Sequence, residues 1–120
     1  MNYMLLIYDT PATARPTEAE QAEMMGAYFA FTQEIVQSGE LVAGEPLQGP
    51  ETASKVTVRN GETTVTDGPF AETKEVLGGF YIVNVASVER AQELAAKIPG
   101  AKTGSIEVRP LLEMPARVEV

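Results

Sequence analysis

The sequence contains no histidine, and this absence narrows the chemistry that the protein can perform. Histidine is the commonest general base and the commonest metal ligand, so serine–histidine catalysis and histidine-ligated metal sites are excluded. Acid–base chemistry could come only from Asp, Glu, Lys or Tyr side chains. A metal site could only be an oxygen cage of the Mg²⁺ or Ca²⁺ kind. We therefore expect neither a bound metal nor a cofactor.

Cysteine is also absent, which excludes disulfides, iron–sulfur clusters and a thiolate nucleophile. The lack of disulfides fits a cytoplasmic location. No basic segment precedes the first apolar run, as it would in a signal peptide. No apolar stretch reaches the ~18 residues needed to span a bilayer. We therefore expect a cytoplasmic protein that does not bind a membrane.

Basic side chains are scarce: nine Lys and Arg stand against seventeen Asp and Glu, giving a net charge of −8. A surface of this sign disfavours nucleic acid, which binds basic surfaces, and it disfavours anionic membranes. A basic pocket for an acidic small molecule remains compatible, because a summed charge does not describe a cleft. The length of 120 residues and the apolar fraction of 44% predict one domain over residues 1–120.

Two apolar segments, YMLLIY at 3–8 and FYIVNV at 80–85, predict strands buried on both faces. Thr17 and Glu20 form a capping box, which predicts the start of a helix that ends near Gly39. This helix has two adjacent apolar stripes, the first formed by Met24, Tyr28, Phe31 and Ile35 and the second by Met25, Phe29 and Val36. One stripe can cover a sheet, and the second predicts contact with another partner such as a second subunit.

The remaining elements are shorter. Residues 41–43 predict a strand that Gly44-Glu45-Pro46 breaks, and residues 55–66 predict a hairpin with a type I′ turn at Asn60-Gly61. Ser87 is the expected N-cap of a second helix. Its predicted buried face consists of Val88, Ala91, Leu94, Ala95 and Ile98. Residues 105–110 predict a last strand, and a short tail follows from about 111.

The order of these elements predicts an α+β fold. Without the hairpin, the order βαββαβ is that of the ferredoxin-like arrangement. Its first and third strands are central, in agreement with the apolar character of the segments 3–8 and 80–85. Helices cover one face of such a sheet, and a second subunit is an economical cover for the other face. We therefore expect a homodimer.

Polar and turn-forming residues are concentrated in VTDGPFAETKE, just before the second apolar strand. Asp67-Gly68-Pro69-Phe70 predicts a tight turn. One interpretation of the segment is a solvated charged loop. The other is the rim of a pocket, in which Asp67 accepts a proton and Lys74 fixes an anionic substrate. The local sequence is compatible with both, and the pocket interpretation adds as ligand-binding candidates Glu72 and Glu75.

Three further features have both a structural and a functional interpretation. Gly78-Gly79 is either a flexible strand entry or a close approach of backbone to ligand, and it lacks the spacing of a dinucleotide-binding motif. Tyr8 and Tyr81 lie on the predicted central strands, where each packs in the core or lines a pocket. Arg109 alternates with apolar residues, so it points away from the helix-covered face and forms a salt bridge or binds an anion.

The segments MNYMLLIY, LVAGEPLQ, VTDGPFAETKEVLGGFYIV and SIEVRPLLEM resemble the DGPF branch of the YCII-related family over about residues 2–114. The resemblance implies a ferredoxin-like dimeric α/β barrel. Other branches resemble small enzymes with a His–Asp pair in a pocket between sheet and loops, and dehydrochlorination of an aromatic compound is one implied activity. That pair cannot be carried over to a chain without histidine. Asp67 is the residue that could replace it.

We expect a small-molecule-binding protein, and one hypothesis is proton transfer, by isomerisation or elimination, on a small aromatic or anionic compound. Asp67 would then need a raised pKa, because a solvated Asp with a pKa of ~3.9 is a poor base at neutral pH. The alternative is a non-enzymatic binding or regulatory protein. Some members of the DGPF branch look like companions of extracytoplasmic-function sigma factors, which implies a link to sigma-factor regulation. A structural dimer without a ligand is a third interpretation, and the sequence leaves open whether the protein is an enzyme.

Overall fold

The computed structural model describes residues 1–10, 17–68 and 75–114. Its main sheet has four antiparallel strands, and a hairpin forms a separate two-stranded sheet. The strands are β1 (Asn2–Asp9), β2 (Leu41–Pro46), β3 (Ser54–Arg59), β4 (Glu62–Asp67), β5 (Val76–Asn84) and β6 (Ser105–Pro110). The helices are α1 (Glu18–Gln37) and α2 (Val88–Lys97), with 3₁₀ turns at Pro50–Thr52 and Pro99–Lys102.

The main sheet has the strand order β2-β5-β1-β6, so the two most apolar strands are central. With the hairpin left out, this is the order of the ferredoxin-like fold, and the predicted α+β fold is confirmed. Both helices pack on one face of the sheet. The core lies between the helices and the sheet, and its largest fully buried side chains are Leu5, Ile35, Val83, Leu94 and Ile98.

The other face of the sheet carries a second set of apolar side chains. Successive residues of a strand point to opposite faces, so β1 gives Tyr3, Leu5 and Ile7 to the helix side. The opposite side, which we call the open face, presents Met4, Leu6, Tyr8, Phe80 and Ile82, with Arg109 at its β6 edge. These apolar side chains stay partly exposed, because the described helices pack on the other side.

Helix α1 begins with the predicted capping box. The Glu20 backbone N–H donates to Thr17 Oγ1 over 3.1 Å, and the Thr17 N–H donates to Glu20 Oε1 over 3.0 Å. Phe31 and Ile35 on its first stripe are buried, whereas Phe29 on its second stripe is 67% exposed. The second stripe therefore has no cover within the described part of this chain. No described helix combines the length and the apolarity that a membrane span requires.

Two strand predictions were wrong at their boundaries. β2 does not stop at Gly44 but continues to Pro46, because it pairs with β5. β2 lies at the edge of the sheet, where a proline needs no partner for its missing N–H. β5 starts at Val76, so Gly78 and Gly79 lie inside the strand and not ahead of it. The pairing of β2 with β5 determines both boundaries, and this pairing cannot be read from the local sequence.

The hairpin has the predicted turn and register. Asn60 and Gly61 have φ values of 52° and 79°, as a type I′ turn requires, and Arg59 pairs with Glu62. The valines of its apolar face, Val56, Val58 and Val65, are all exposed. On α2, the prediction that Val88 belongs to the buried face was wrong: it stands in the first turn, where the helix has just begun, and it is exposed.

Candidate functional site

A cavity of about 440 Å³ opens where β1 ends and β5 begins. The carboxyl of Asp9 and the hydroxyl-bearing Thr10 form one wall. The chain that follows β2, residues 47–51, forms the second wall, and Val76 to Gly78 of β5 form the third. Val76 follows directly after the DGPFAETKE segment in the sequence. The cavity therefore lies beside the most distinctive stretch of the chain.

The carboxyl group of Asp9 lies between two glycines from distant parts of the sequence. A Cβ atom built on Gly78 would overlap Asp9 Oδ2, and one built on Gly100 would lie 3.8 Å from Asp9 Oδ1. A side chain at position 78 would therefore crowd the carboxyl, whereas one at position 100 would crowd the Tyr28 hydroxyl, 2.7 Å from the Cβ, and would only touch the carboxyl. The sequence suggested a close approach of backbone to ligand at Gly78. In the structure Gly78 also makes room for a carboxylate.

Tyr28 brings a hydroxyl from α1 to the same region. Its oxygen accepts a hydrogen bond from the Gly100 N–H over 3.2 Å, which ties the helix to the 3₁₀ turn after α2. Burial raises the pKa of Tyr28 above its ordinary value, and the charge of Asp9 raises it further. The hydroxyl therefore keeps its proton at neutral pH. It is a neutral polar neighbour of Asp9.

Asp9 itself has a raised pKa. The residue keeps contact with solvent, but partial burial of the carboxyl disfavours its charged form and shifts the pKa upward. A carboxylate shifted in this direction is a better base than a fully solvated one. Sequence reasoning missed Asp9 as a site residue. The available signal was a carboxyl directly after a central strand, at the start of a loop.

Asp67, the predicted catalytic residue, is the last residue of β4 and pairs with Ser54 in the hairpin sheet. The next residue, Gly68, donates its N–H to the Ala53 carbonyl over 2.7 Å. Asp67 is exposed and is not among the residues that line the cavity. Its role as a base stays a prediction. The rest of the predicted turn, Pro69-Phe70, and the candidates Glu72 and Lys74 lie outside the described residues.

The two candidate tyrosines lie on opposite faces of the sheet. Tyr8 is on the open face, where its hydroxyl donates to Glu107 Oε1 over 3.5 Å. Tyr81 is on the helix side, where its hydroxyl lies 2.8 Å from Thr32 Oγ1 and its ring meets Phe31 edge to face at 5.2 Å. The structure does not bring these two side chains together. Neither lines the cavity beside Asp9.

The last two candidates belong to the Tyr8 side of the sheet. The carboxylate of Glu75 accepts a hydrogen bond from Ser105 Oγ over 2.9 Å, and Ser105 is the strand partner of Tyr8. Arg109 pairs with Met4 and lies on the open face, as its alternation with apolar residues predicted. Glu75, Tyr8 and Arg109 therefore share one side of the molecule. They lie apart from Tyr81.

A larger groove of about 730 Å³ runs between α1, α2 and residues 99–103. Two charged side chains on its sides, Glu34 and Lys97, form an ion pair with each other. The groove contains none of the candidate residues, and the charges of Glu34 and Lys97 are paired with each other. We therefore place the candidate site in the smaller cavity. In the ranges 1–10, 17–68 and 75–114, no group of acidic residues is arranged to hold a metal ion.

Comparison with known proteins agrees with this architecture. The YCII-related domain matches residues 1–115. The chain is 40% identical over 116 residues, 92% of each chain, to the uncharacterized protein R00369 of Rhizobium meliloti (strain 1021). A solved structure of 5-chloro-2-hydroxyhydroquinone dehydrochlorinase (TftG) from Burkholderia phenoliruptrix AC1100, in complex with 2,5-dihydroxybenzoquinone, has the same fold. It superposes with a TM-score of 0.53 at 14% identity, over 95% of this chain and 96% of TftG. The chain belongs to the YCII-related family.

Proposed function

We propose that the protein binds a small compound in the cavity beside Asp9 and catalyses proton transfer on it, by isomerisation or elimination. The observation that carries this proposal is the composition of the cavity wall. Apolar side chains of Leu47, Val76 and Leu77 stand beside the carboxyls of Asp9 and Glu51. The volume of the cavity, about 440 Å³, falls within the range of roughly 300–1,000 Å³ that is usual for ligand pockets.

The nature of the substrate follows from the same wall and from the structural neighbour. Apolar side chains accommodate a ring, and carboxylates accept hydrogen bonds from hydroxyl groups. The neighbour TftG is a dehydrochlorinase that was solved with 2,5-dihydroxybenzoquinone. Loss of HCl from a hydroxylated ring is an elimination that begins with removal of a proton. A small hydroxylated ring compound is therefore the substrate class that we propose.

Binding can be tested with 2,5-dihydroxybenzoquinone as the probe, followed through the backbone amide signals of the protein in NMR spectra. We expect the probe to shift the amide signals of Thr10, Leu47 and Gly78, because these residues line the cavity. Val58 and Thr63 in the exposed hairpin serve as internal references that should not move. Shifts confined to residues of the larger groove, or no shifts at millimolar probe, would contradict the proposed site.

We also propose that the protein is a homodimer joined through the open face. That face carries a continuous apolar patch formed by Met4, Leu6, Phe80 and Ile82, which the described helices leave partly exposed. The face is nearly free of charge at its centre, since Glu107 and Arg109 belong to the edge strand β6. Burial of such a patch against a second copy gives a self-complementary interface of the kind that two-fold dimers use.

A charge placed in the middle of the open face should break this dimer. In sedimentation velocity, we expect the unmodified protein to sediment as a dimer and the Ile82→Glu variant as a monomer, because the glutamate would be buried unpaired. Val58→Glu is the matched control, since Val58 is an exposed strand residue in the hairpin. Circular dichroism verifies that both variants are folded. A monomeric parent protein at micromolar concentration would rule out the dimer.

A further inference from the structure

We infer that Asp9 is the catalytic base of the cavity, and that position 78 is glycine because the Asp9 carboxylate occupies the space of a side chain there. The inference rests on the proposed function and names the group that moves the proton. Asp9 stands at the carboxyl end of a central strand, so a rigid element holds it at the cavity wall.

The contacts of the Asp9 carboxyl suit a base. Its Oδ2 lies against the backbone at Gly78, and its Oδ1 lies toward Gly100, whose N–H donates to the Tyr28 hydroxyl. In the described part of the chain, no Lys or Arg forms an ion pair with Asp9. An ion pair would hold the carboxylate in its charged form and weaken it as a base. With no such partner among the described residues, the partly buried Asp9 carboxylate can take a proton from a bound compound.

The groups around Asp9 agree with this assignment. Tyr28 faces it from α1 as a neutral hydroxyl, and Glu51 faces the same cavity from the 3₁₀ turn after β2. Glu75 directly precedes Val76, the strand partner of Asp9. Among the described residues these neighbours are neutral or negative, and partial burial of the carboxyl raises the pKa of Asp9. The charged form of the carboxyl is therefore less favoured here than in water, which increases its tendency to accept a proton.

The proposed step is balanced within the cavity. The Asp9 carboxylate takes a proton from a carbon or a hydroxyl of the substrate, and the electron pair of the broken bond enters the conjugated ring system. In an isomerisation, the protonated Asp9 returns the proton to a different atom, so the substrate keeps its composition. In an elimination, the electron pair expels the leaving group as an anion, and Asp9 releases its proton to water. No oxidant, reductant or metal takes part in either reaction.

The test measures the exchange of ring hydrogens of the quinone probe for deuterium in D₂O, followed by proton NMR. We expect the parent protein to accelerate this exchange. In the Asp9→Asn variant the protein-catalysed exchange rate should be about a hundredfold lower, although the probe still binds. Gly78→Ala should also lose acceleration, because the new methyl group displaces the carboxylate. Glu62→Gln removes an exposed carboxylate from the hairpin and is the matched control, expected to exchange at the parent rate.

A second readout separates a catalytic role from a structural one. A raised pKa means that the folded protein binds the Asp9 proton more tightly than the unfolded chain does. Stability is then lost as the pH rises through the folded-state pKa. Asp9→Asn removes this loss, so the variant should unfold at a higher urea concentration than the parent at pH 7. The difference should vanish below the ordinary pKa of 3.8.

The outcomes distinguish the two proposals. If the parent protein neither binds the probe nor accelerates exchange, the proposed function fails. If the parent binds and accelerates while Asp9→Asn keeps the full rate, only the assignment of Asp9 is overturned. If Asp67→Asn loses the acceleration while Asp9→Asn retains it, the catalytic base is Asp67, as the sequence predicted. An Asp9→Asn variant that is less stable than the parent at pH 7 would make Asp9 a structural residue.

Discussion

Replacement of Leu94 by alanine is expected to lower the free energy of unfolding by about 3 kcal/mol. Leu94 lies on α2 with 0% of its surface exposed, among the core side chains that join the helices to the sheet. The substitution removes apolar contacts, and it leaves a cavity that a packed helix and sheet cannot fully close. The fold therefore depends strongly on this one side chain.

Urea unfolding followed by circular dichroism measures this effect. Leu112→Ala is the matched control, because Leu112 is 82% exposed in the segment after β6 and the same atoms are removed. We expect the control to change the free energy of unfolding by less than about 0.5 kcal/mol. Equal effects of the two substitutions would mean that α2 does not pack on the sheet through Leu94.

Replacement of Gly79 by alanine is expected to destabilise the protein by about 1–3 kcal/mol. A Cβ atom on Gly79 would lie 2.9 Å from the Glu45 carbonyl oxygen and 3.2 Å from the Pro46 Cα. Both atoms belong to the backbone of β2. The strand would have to move away from β5 to admit the methyl group, and the hydrogen bonds between the two strands would weaken.

The neighbouring glycine provides the comparison for this prediction. A Cβ atom on Gly78 would meet Asp9 Oδ2, which is the end of a side chain and can rotate away. We therefore expect Gly78→Ala to change stability much less than Gly79→Ala, when both are measured by urea unfolding. Similar losses in the two variants would mean that backbone crowding by β2 is not what requires glycine at position 79. The adjacent pair would then be only a flexible part of the strand.

Local signals predicted much of the fold. The capping box at Thr17 and Glu20, the type I′ turn at Asn60-Gly61 and the apolar runs in β1 and β5 each depend on residues close together in the sequence. Their order was sufficient for the ferredoxin-like arrangement. The ends of β2 and β5 were not predictable in the same way, because the pairing between those two strands extended both of them.

The candidate site was harder to predict for a physical reason. Asp9 acquires its environment from Gly78, Gly100 and Tyr28, and the hydrogen bond between the last two joins residues 72 positions apart. No local pattern around Asp9 records these neighbours. Asp67, in contrast, has distinctive neighbours in the sequence, but it lies in the hairpin sheet and does not line the cavity. The density of polar residues along the chain therefore does not indicate which carboxylate lines the cavity.

The hairpin is joined to the cavity at its base. The chain enters β3 from the cavity rim at Gly49 to Glu51, and after β4 it returns to the main sheet at Val76, which belongs to the opposite wall. The hydrogen bond from the Gly68 N–H to the Ala53 carbonyl joins the start of β3 to the end of β4. On the β3 side, the described chain runs without a gap from the cavity wall at Glu51 into the hairpin at Ser54. A partner that binds the exposed turn at Asn60-Gly61 would therefore be connected to the cavity wall through β3.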